Sequence, residues 1–294
     1  MSGLLLHDKT KKQAELFLRK PANSLLILGS AGSGKLNLAI SLAQELLKLE
    51  STAKLTNHPY FLHIKKPDAK QDISIDTIRE VIRFLRLKAL GNGGIRRVVI
   101  IENAQHLSIE AQNALLKILE EPNDDTVFIL TAPNEQSLLP TIVSRCQTIQ
   151  VYPISLAQAI NYYKAKFNQK VIESTWQLSQ GNSALMDALL NDDQNHPLKQ
   201  AIDEAKKFLR QSKYERLLYL DKISKNKEST ALFLEALNKV LAALHHTYLA
   251  KNRQQSLAQM LLSDRKLVRQ SADAIDGNGN LKLISLELLL NLRD

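Results

Sequence analysis

Short apolar runs alternate with stretches of helical periodicity over the first 150 residues. Runs at Leu25–Leu28, Tyr60–Ile64, Val98–Ile101, Thr126–Leu130 and Gln147–Val151 predict five strands. Three of them are apolar at nearly every position, the pattern of strands covered on both faces of a parallel sheet. Between them, Ala39, Leu42, Ala43, Leu46 and Leu47 fall at 3.6-residue spacing. A second stripe is Ile78, Val81, Ile82 and Leu85, with Asp76 or Thr77 as start signal and Gly91 as stop. A third, Ala111, Ala114, Leu115, Ile118 and Leu119, opens at Ser108 and closes before Pro122. Strands alternating with helices predict βαβ units and a three-layer α/β domain with a parallel sheet.

After Pro153 the strand signals stop. Residues 155–191 read as three short helices, broken near Gln169 and at Gly181–Asn182. The polar stretch Asn191–Pro197 is the best linker in the chain. Beyond it a leucine-rich helical region carries the stripe Phe233, Leu237, Val240, Leu241 and Leu244, and Asp276–Asn280 predicts a turn before a final helix. The order is an α/β domain, a small helical domain and a larger helical domain.

Composition adds exclusions. With 44% hydrophobic and 23% charged residues the 294-residue chain is no disordered polypeptide. No apolar run approaches the ~18 residues needed to cross a bilayer, and the block Leu4–Leu6 is too short for a secretory leader, so a cytoplasmic protein without membrane contact is expected. The single cysteine, Cys146, leaves no CxxC pair, and no zinc or other metal site is expected. A net charge of +9, from 39 Lys+Arg against 30 Asp+Glu, suits an acidic partner such as DNA without requiring one. The cluster Lys199, Lys206, Lys207, Arg210, Lys213 and Arg216, interspersed with acids, reads as a solvated face. The histidines match no metal or triad spacing and read as surface or core residues.

Residues 29–36, G-S-A-G-S-G-K-L, lie between a predicted strand and a predicted helix and follow the phosphate-loop pattern up to its last position. Gly29, Gly32 and Gly34, with Ser33, let backbone N–H groups turn inward around an anion. Lys35 adds positive charge, and the helix N-terminus points at the same place. Leu36, however, stands where a Ser or Thr hydroxyl would ligate Mg²⁺. The acidic motif after the third strand is also altered. Glu102 keeps a carboxylate, but Asn103 cannot act as a general base. Together the two departures describe a nucleotide fold that has lost its hydrolytic chemistry.

Three segments carry a more specific signal: I-S-I-D-T-I-R-E (73–80), A-Q-N-A-L-L-K-I-L-E-E-P (111–122) and L-L-P-T-I-V-S-R-C-Q (138–147). In order and spacing, with the phosphate loop upstream, they resemble the bacterial DNA polymerase III clamp-loader subunits of the AAA+ superfamily. The missing Mg²⁺ hydroxyl, water-activating Glu and zinc cysteines make the chain similar to the delta-prime type rather than the gamma or tau motor. That resemblance implies an AAA+ core at 1–153, a helical lid at 154–195 and a helical collar at 196–294. It implies a hetero-pentamer with gamma/tau-like motor and delta-like subunits, acting on the sliding clamp and primed DNA. Arg145 then resembles the finger that reaches a neighbour's ATP, and a residue near Thr131 the sensor of the fourth strand. No arginine follows Gly181 where the lid's second sensor is expected. No cofactor is required under this reading, and weak, metal-independent ADP or ATP binding is expected. The competing readings are an ATP-hydrolysing motor subunit, opposed by Leu36 and Asn103, and a nucleotide-binding regulatory module outside replication, opposed by the three segments.

Overall fold

The apolar runs become β1 (Ser24–Leu28), β2 (Phe61–Ile64), β3 (Arg97–Ile101), β4 (Thr126–Ala132) and β5 (Gln147–Gln150), each within two residues of its expected ends. They form one parallel sheet in the order β2-β3-β4-β1-β5, with Leu25 of β1 level with Ile129 of β4 and Gln147 of β5. The structure, a computed structural model, describes residues 4–67, 72–86, 94–250 and 255–292, so the stop expected at Gly91 lies outside the described residues. The chain divides into two compact units, Met1–Ile154 and Ser155–Asp294.

In the first unit the helices are α1 (Asp8–Arg19), α2 (Lys35–Leu46), α3 (Thr52–Thr56), α4 (Ile75–Arg86), α5 (Ile109–Glu120) and the one-turn α6 (Pro140–Val143). All residues of β1, β3 and β4 are buried, and the strand period of two sends them alternately to opposite faces. Leu26, Leu28, Val99, Ile101, Phe128 and Leu130 pack with Ile78 and Val81 of α4 and Leu115 of α5. Leu25, Ile27, Val98, Ile100, Val127 and Ile129 pack with Phe17 of α1 and Leu38 and Leu42 of α2. Truncating one such Leu or Ile to Ala costs about 2–5 kcal/mol, so the continuous apolar runs hold all three layers together.

The sequence gives no hint of α1, whose buried face is only Thr10, Ala14 and Phe17. Its polar side chains close the sheet edge. Thr10 Oγ1 donates to the Gln150 carbonyl at 2.8 Å and accepts from Tyr152 N at 3.0 Å, while Gln13 Oε1 accepts from Gln150 N at 3.2 Å. The outer rim of β5 thus has partners within the chain instead of a bare edge.

The second unit contains α7 (Leu156–Tyr163), α8 (Gln169–Ser179), α9 (Ser183–Leu190), α10 (Pro197–Phe208), α11 (Lys213–Ile223), α12 (Lys227–Ala250), α13 (Gln255–Asp276) and α14 (Leu281–Asn291). The breaks fall where the sequence places them. Capping boxes start α7 (Ser155 with Gln158) and α11 (Ser212 with Glu215). Leu185 of α9 belongs to the same apolar cluster as Phe208, Leu220, Phe233, Leu237 and Leu288, with Phe208 and Phe233 ring centroids 5.1 Å apart. Two residues of the expected solvated basic face are buried instead. Lys199 is 3% exposed and pairs with Asp192 (2.7 Å) and Asp203 (2.9 Å). Arg216, also 3% exposed, donates to the carbonyls of Phe208 and Leu209, both at 3.0 Å. The end of α10 leaves carbonyls without helical partners, and Arg216 answers them from α11, which spacing along the chain does not reveal.

Candidate functional site

The phosphate loop leaves the carboxyl end of β1 beside the carboxyl ends of β4 and β5, where parallel α/β sheets place their ligands. Gly32 (φ +70°) and Gly34 (φ +87°) take left-handed conformations that turn the backbone inward, and α2 begins at Lys35. Gly29 has no room for a side chain, since a Cβ there would lie 2.7 Å from Ser33 Oγ and 3.2 Å from Val151 Cβ. The Ser33 hydroxyl is buried without a hydrogen-bond partner among the described residues. Glycine nest, helix start and spare hydroxyl suit a phosphate. The Lys35 ammonium, nearly buried, donates to the carbonyls of its own loop, Gly29 at 2.7 Å and Ser30 at 2.9 Å. Leu36 packs against the apolar cluster that contains Phe17 and Leu38. A hydrocarbon at that position offers Mg²⁺ no oxygen where the phosphate-loop pattern places its hydroxyl ligand.

The acidic motif is drawn to other partners as well. Glu102 Oε2 lies 3.0 Å from Nε2 of His63 on the neighbouring β2, a pair that the histidine spacing does not foreshadow. Asn103 takes a left-handed conformation (φ +51°), which asparagine tolerates better than most residues, and its N–H donates to Thr131 Oγ1 at 2.8 Å. Thr131, 1% exposed on β4, thus joins the acidic corner to the strand between it and the phosphate loop.

Arg145 sits at the other end of the sheet. Gln147, the first residue of β5, is level with Leu25, four residues and about 13 Å of strand short of Gly29, and Arg145 lies further back. That is more than the reach of an arginine side chain, so Arg145 cannot serve its own phosphate loop. Its platform is built from the second and third segments. Gln112 of α5, 7% exposed, donates to the Leu107 carbonyl at 3.2 Å and accepts from Leu139 N at 3.0 Å, tying the helix to the turn that leads into α6. Turn bonds from Arg145 N to Ile142 O (3.1 Å) and Cys146 N to Val143 O (3.1 Å) then fix the backbone. The guanidinium donates from Nη1 to Thr141 O at 2.9 Å and from Nη2 to Glu120 Oε1 at 2.6 Å, leaving the side chain about one third exposed. Beside it burial pushes the Cys146 thiol up to about 12. Glu120 and Gln112 escape a motif-based reading because their roles depend on contacts between separate segments.

A family model described as DNA polymerase III, delta subunit, matches residues 9–155. Among curated proteins, the delta-prime subunit of DNA polymerase III from Pseudomonas aeruginosa is 31% identical over 207 residues, 65% of this chain and 62% of that protein. That of Bacillus subtilis is 34% identical over 145 residues, 45% of this chain and 43% of its own length. The matched region thus spans less than two thirds of these relatives. A solved structure of a DNA polymerase III gamma subunit-related protein from Thermotoga maritima shares the fold, with a TM-score of 0.52 at 18% identity over 96% of this chain and 98% of that one.

Proposed function

We propose, from the premise that this chain belongs to the DNA polymerase III delta-prime family of clamp-loader subunits, that it is a largely ATPase-inactive member of a loader complex and supplies Arg145 to the nucleotide site of a neighbouring subunit. The observation that carries this reading is the placement of Arg145: partly exposed, on a hydrogen-bonded turn, at the end of the sheet away from its own phosphate loop. A guanidinium delivered to a neighbour's γ-phosphate offsets charge that develops as the phosphoryl group transfers. Leu36 and Asn103 support the lack of turnover in this chain, the first offering no metal ligand and the second no base. The glycine nest supports weak, metal-independent binding of ADP or ATP.

The remaining roles follow the family: assembly as a hetero-pentamer with gamma/tau-like and delta-like subunits, and loading of the sliding clamp on primed DNA in the cytoplasm. The separate lid and collar roles of residues 154–195 and 196–294 belong to this proposal. An outward apolar face supports the collar. α14 is apolar on nearly all sides, and Leu283 (65%), Leu286 (42%) and Leu290 (77%) remain exposed. A helix apolar all round is normally covered on every side.

The decisive experiment measures ATP turnover by the isolated chain and by a complex reconstituted with its motor subunits, with wild type and Arg145→Ala. The isolated chain is expected to be silent. In the complex, Arg145→Ala is expected to slow the site it serves by about 10³–10⁵-fold. Turnover by the isolated chain, or indifference of the complex to the substitution, overturns the reading.

A further inference from the structure

We infer that Glu120 is the positioning residue for Arg145, pinning the guanidinium so that its unused donors face a partner's phosphate; this rests on the trans role proposed for Arg145. Arginine carries five N–H donors in a rigid fork. Two of them are spent on Glu120 and on the Thr141 carbonyl, one from each terminal nitrogen. Nε and one hydrogen on each terminal nitrogen keep no protein partner among the described residues. Gripped at both terminal nitrogens, the guanidinium is fixed in plane and direction while three donors stay available. A long, flexible side chain otherwise gives up considerable rotamer freedom when it docks, and a group ordered beforehand reaches the reacting phosphate at a lower barrier.

The position of Glu120 points the same way. It is the last residue of α5, where the partial negative charge of the helix end disfavours a carboxylate. A carboxylate is poorly placed there for helix stability alone and gains from a cation beside it. Its neighbour Glu121 carries the same charge at the cap of the same helix, yet has no hydrogen-bond or ionic partner among the described residues. One of two adjacent carboxylates therefore holds the arginine, which provides a control of equal charge one residue away.

The test uses the reconstituted complex with Glu120→Ala, Glu120→Gln, Glu121→Ala, Arg145→Ala and the double variant Glu120→Ala/Arg145→Ala. Assembly is checked by mass, and Glu120→Met replaces alanine where the shortened side chain weakens the fold. Glu120→Ala is expected to lower kcat about 10- to 100-fold, the penalty of a misplaced group, with KM for ATP nearly unchanged. Glu120→Gln, which keeps an oxygen to accept from Nη2, restores most of the rate, and Glu121→Ala stays at wild type. In the Arg145→Ala background the Glu120 substitution has no further effect. A normal kcat for Glu120→Ala while Arg145→Ala is inactive overturns the positioning role and leaves the trans arginine standing. A Glu120→Ala loss that persists without Arg145 assigns the residue a structural role and also overturns it. An active Arg145→Ala complex removes the premise itself.

Discussion

The two ends of one sheet have opposite characters. At the carboxyl end the groups of the phosphate-loop and acidic motifs meet partners within the chain: Lys35 its own loop carbonyls, Glu102 His63, Asn103 N–H Thr131, and Leu36 the apolar layer. At the amino end Arg145 stands on a hydrogen-bonded turn with donors unpartnered among the described residues. The same strands, buried on both faces, support both. One frame of buried strands thus carries the phosphate loop at one end and the arginine turn at the other.

The sharpest way to break that contrast is to cut the cation at each end. Lys35→Ala is expected to leave turnover by the reconstituted complex within about twofold of wild type, against the ~10³–10⁵-fold loss for Arg145→Ala. Losing the ammonium's bonds to Gly29 O and Ser30 O should still lower stability by about 1.5–3 kcal/mol, since the donor is charged. Turnover and thermal unfolding of the two variants decide the matter, and equal loss of turnover would make the phosphate loop functional after all.

Next in size is the joint beneath the arginine. Gln112→Ala strips the Leu139 N–H of its acceptor and is expected to cost about 1–3 kcal/mol by denaturant unfolding. Because Leu139 leads into α6, turnover by the complex should fall along with stability. A variant that loses stability and keeps full turnover would separate the turn from the arginine it carries.

At the opposite end, Leu36→Thr restores a hydroxyl at the metal-ligand position of the loop. Calorimetry with ADP is expected to show about tenfold tighter binding in Mg²⁺ than in EDTA for the variant, about 1.4 kcal/mol, and no such difference for wild type. Equal Mg²⁺ dependence in both would mean that some other group supplies the metal ligand.

Legibility followed the range of the physics involved. The sheet was readable because burial on both faces leaves uninterrupted apolar runs such as Val98–Ile101, and the helical stripes and caps are equally local. The phosphate loop, with Leu36 as its departure, is a contiguous motif, and Arg145 stood out through its segment. Pairings across segments were not readable. Thr10 closes the edge of β5 from 140 residues away, His63 meets Glu102 only because β2 lies beside β3, and Glu120 meets Arg145 through the turn that Gln112 ties down. Helix α1 escaped because its core face is only Thr10, Ala14 and Phe17, with polar residues filling the rest.

The smallest effect concerns the footing of the arginine edge. Cys146 packs against the apolar layer of α4 and α5, and burial raises its thiol from 9.0 to about 12. A group whose pKa is higher in the folded state contributes stability that is fully present below the unfolded value and is lost as pH rises through the folded one. Between pH 8 and 9.5 the unfolded thiol begins to ionise while the folded one does not, and wild type should lose on the order of 1 kcal/mol from this group alone. Cys146→Ser lacks an ionising group there, so its unfolding free energy should fall less over the same interval, every other group being common to both. Parallel pH profiles would mean that solvent reaches the thiol and that Arg145 stands on an open turn; a divergence of the expected sign and size is what a packed platform requires.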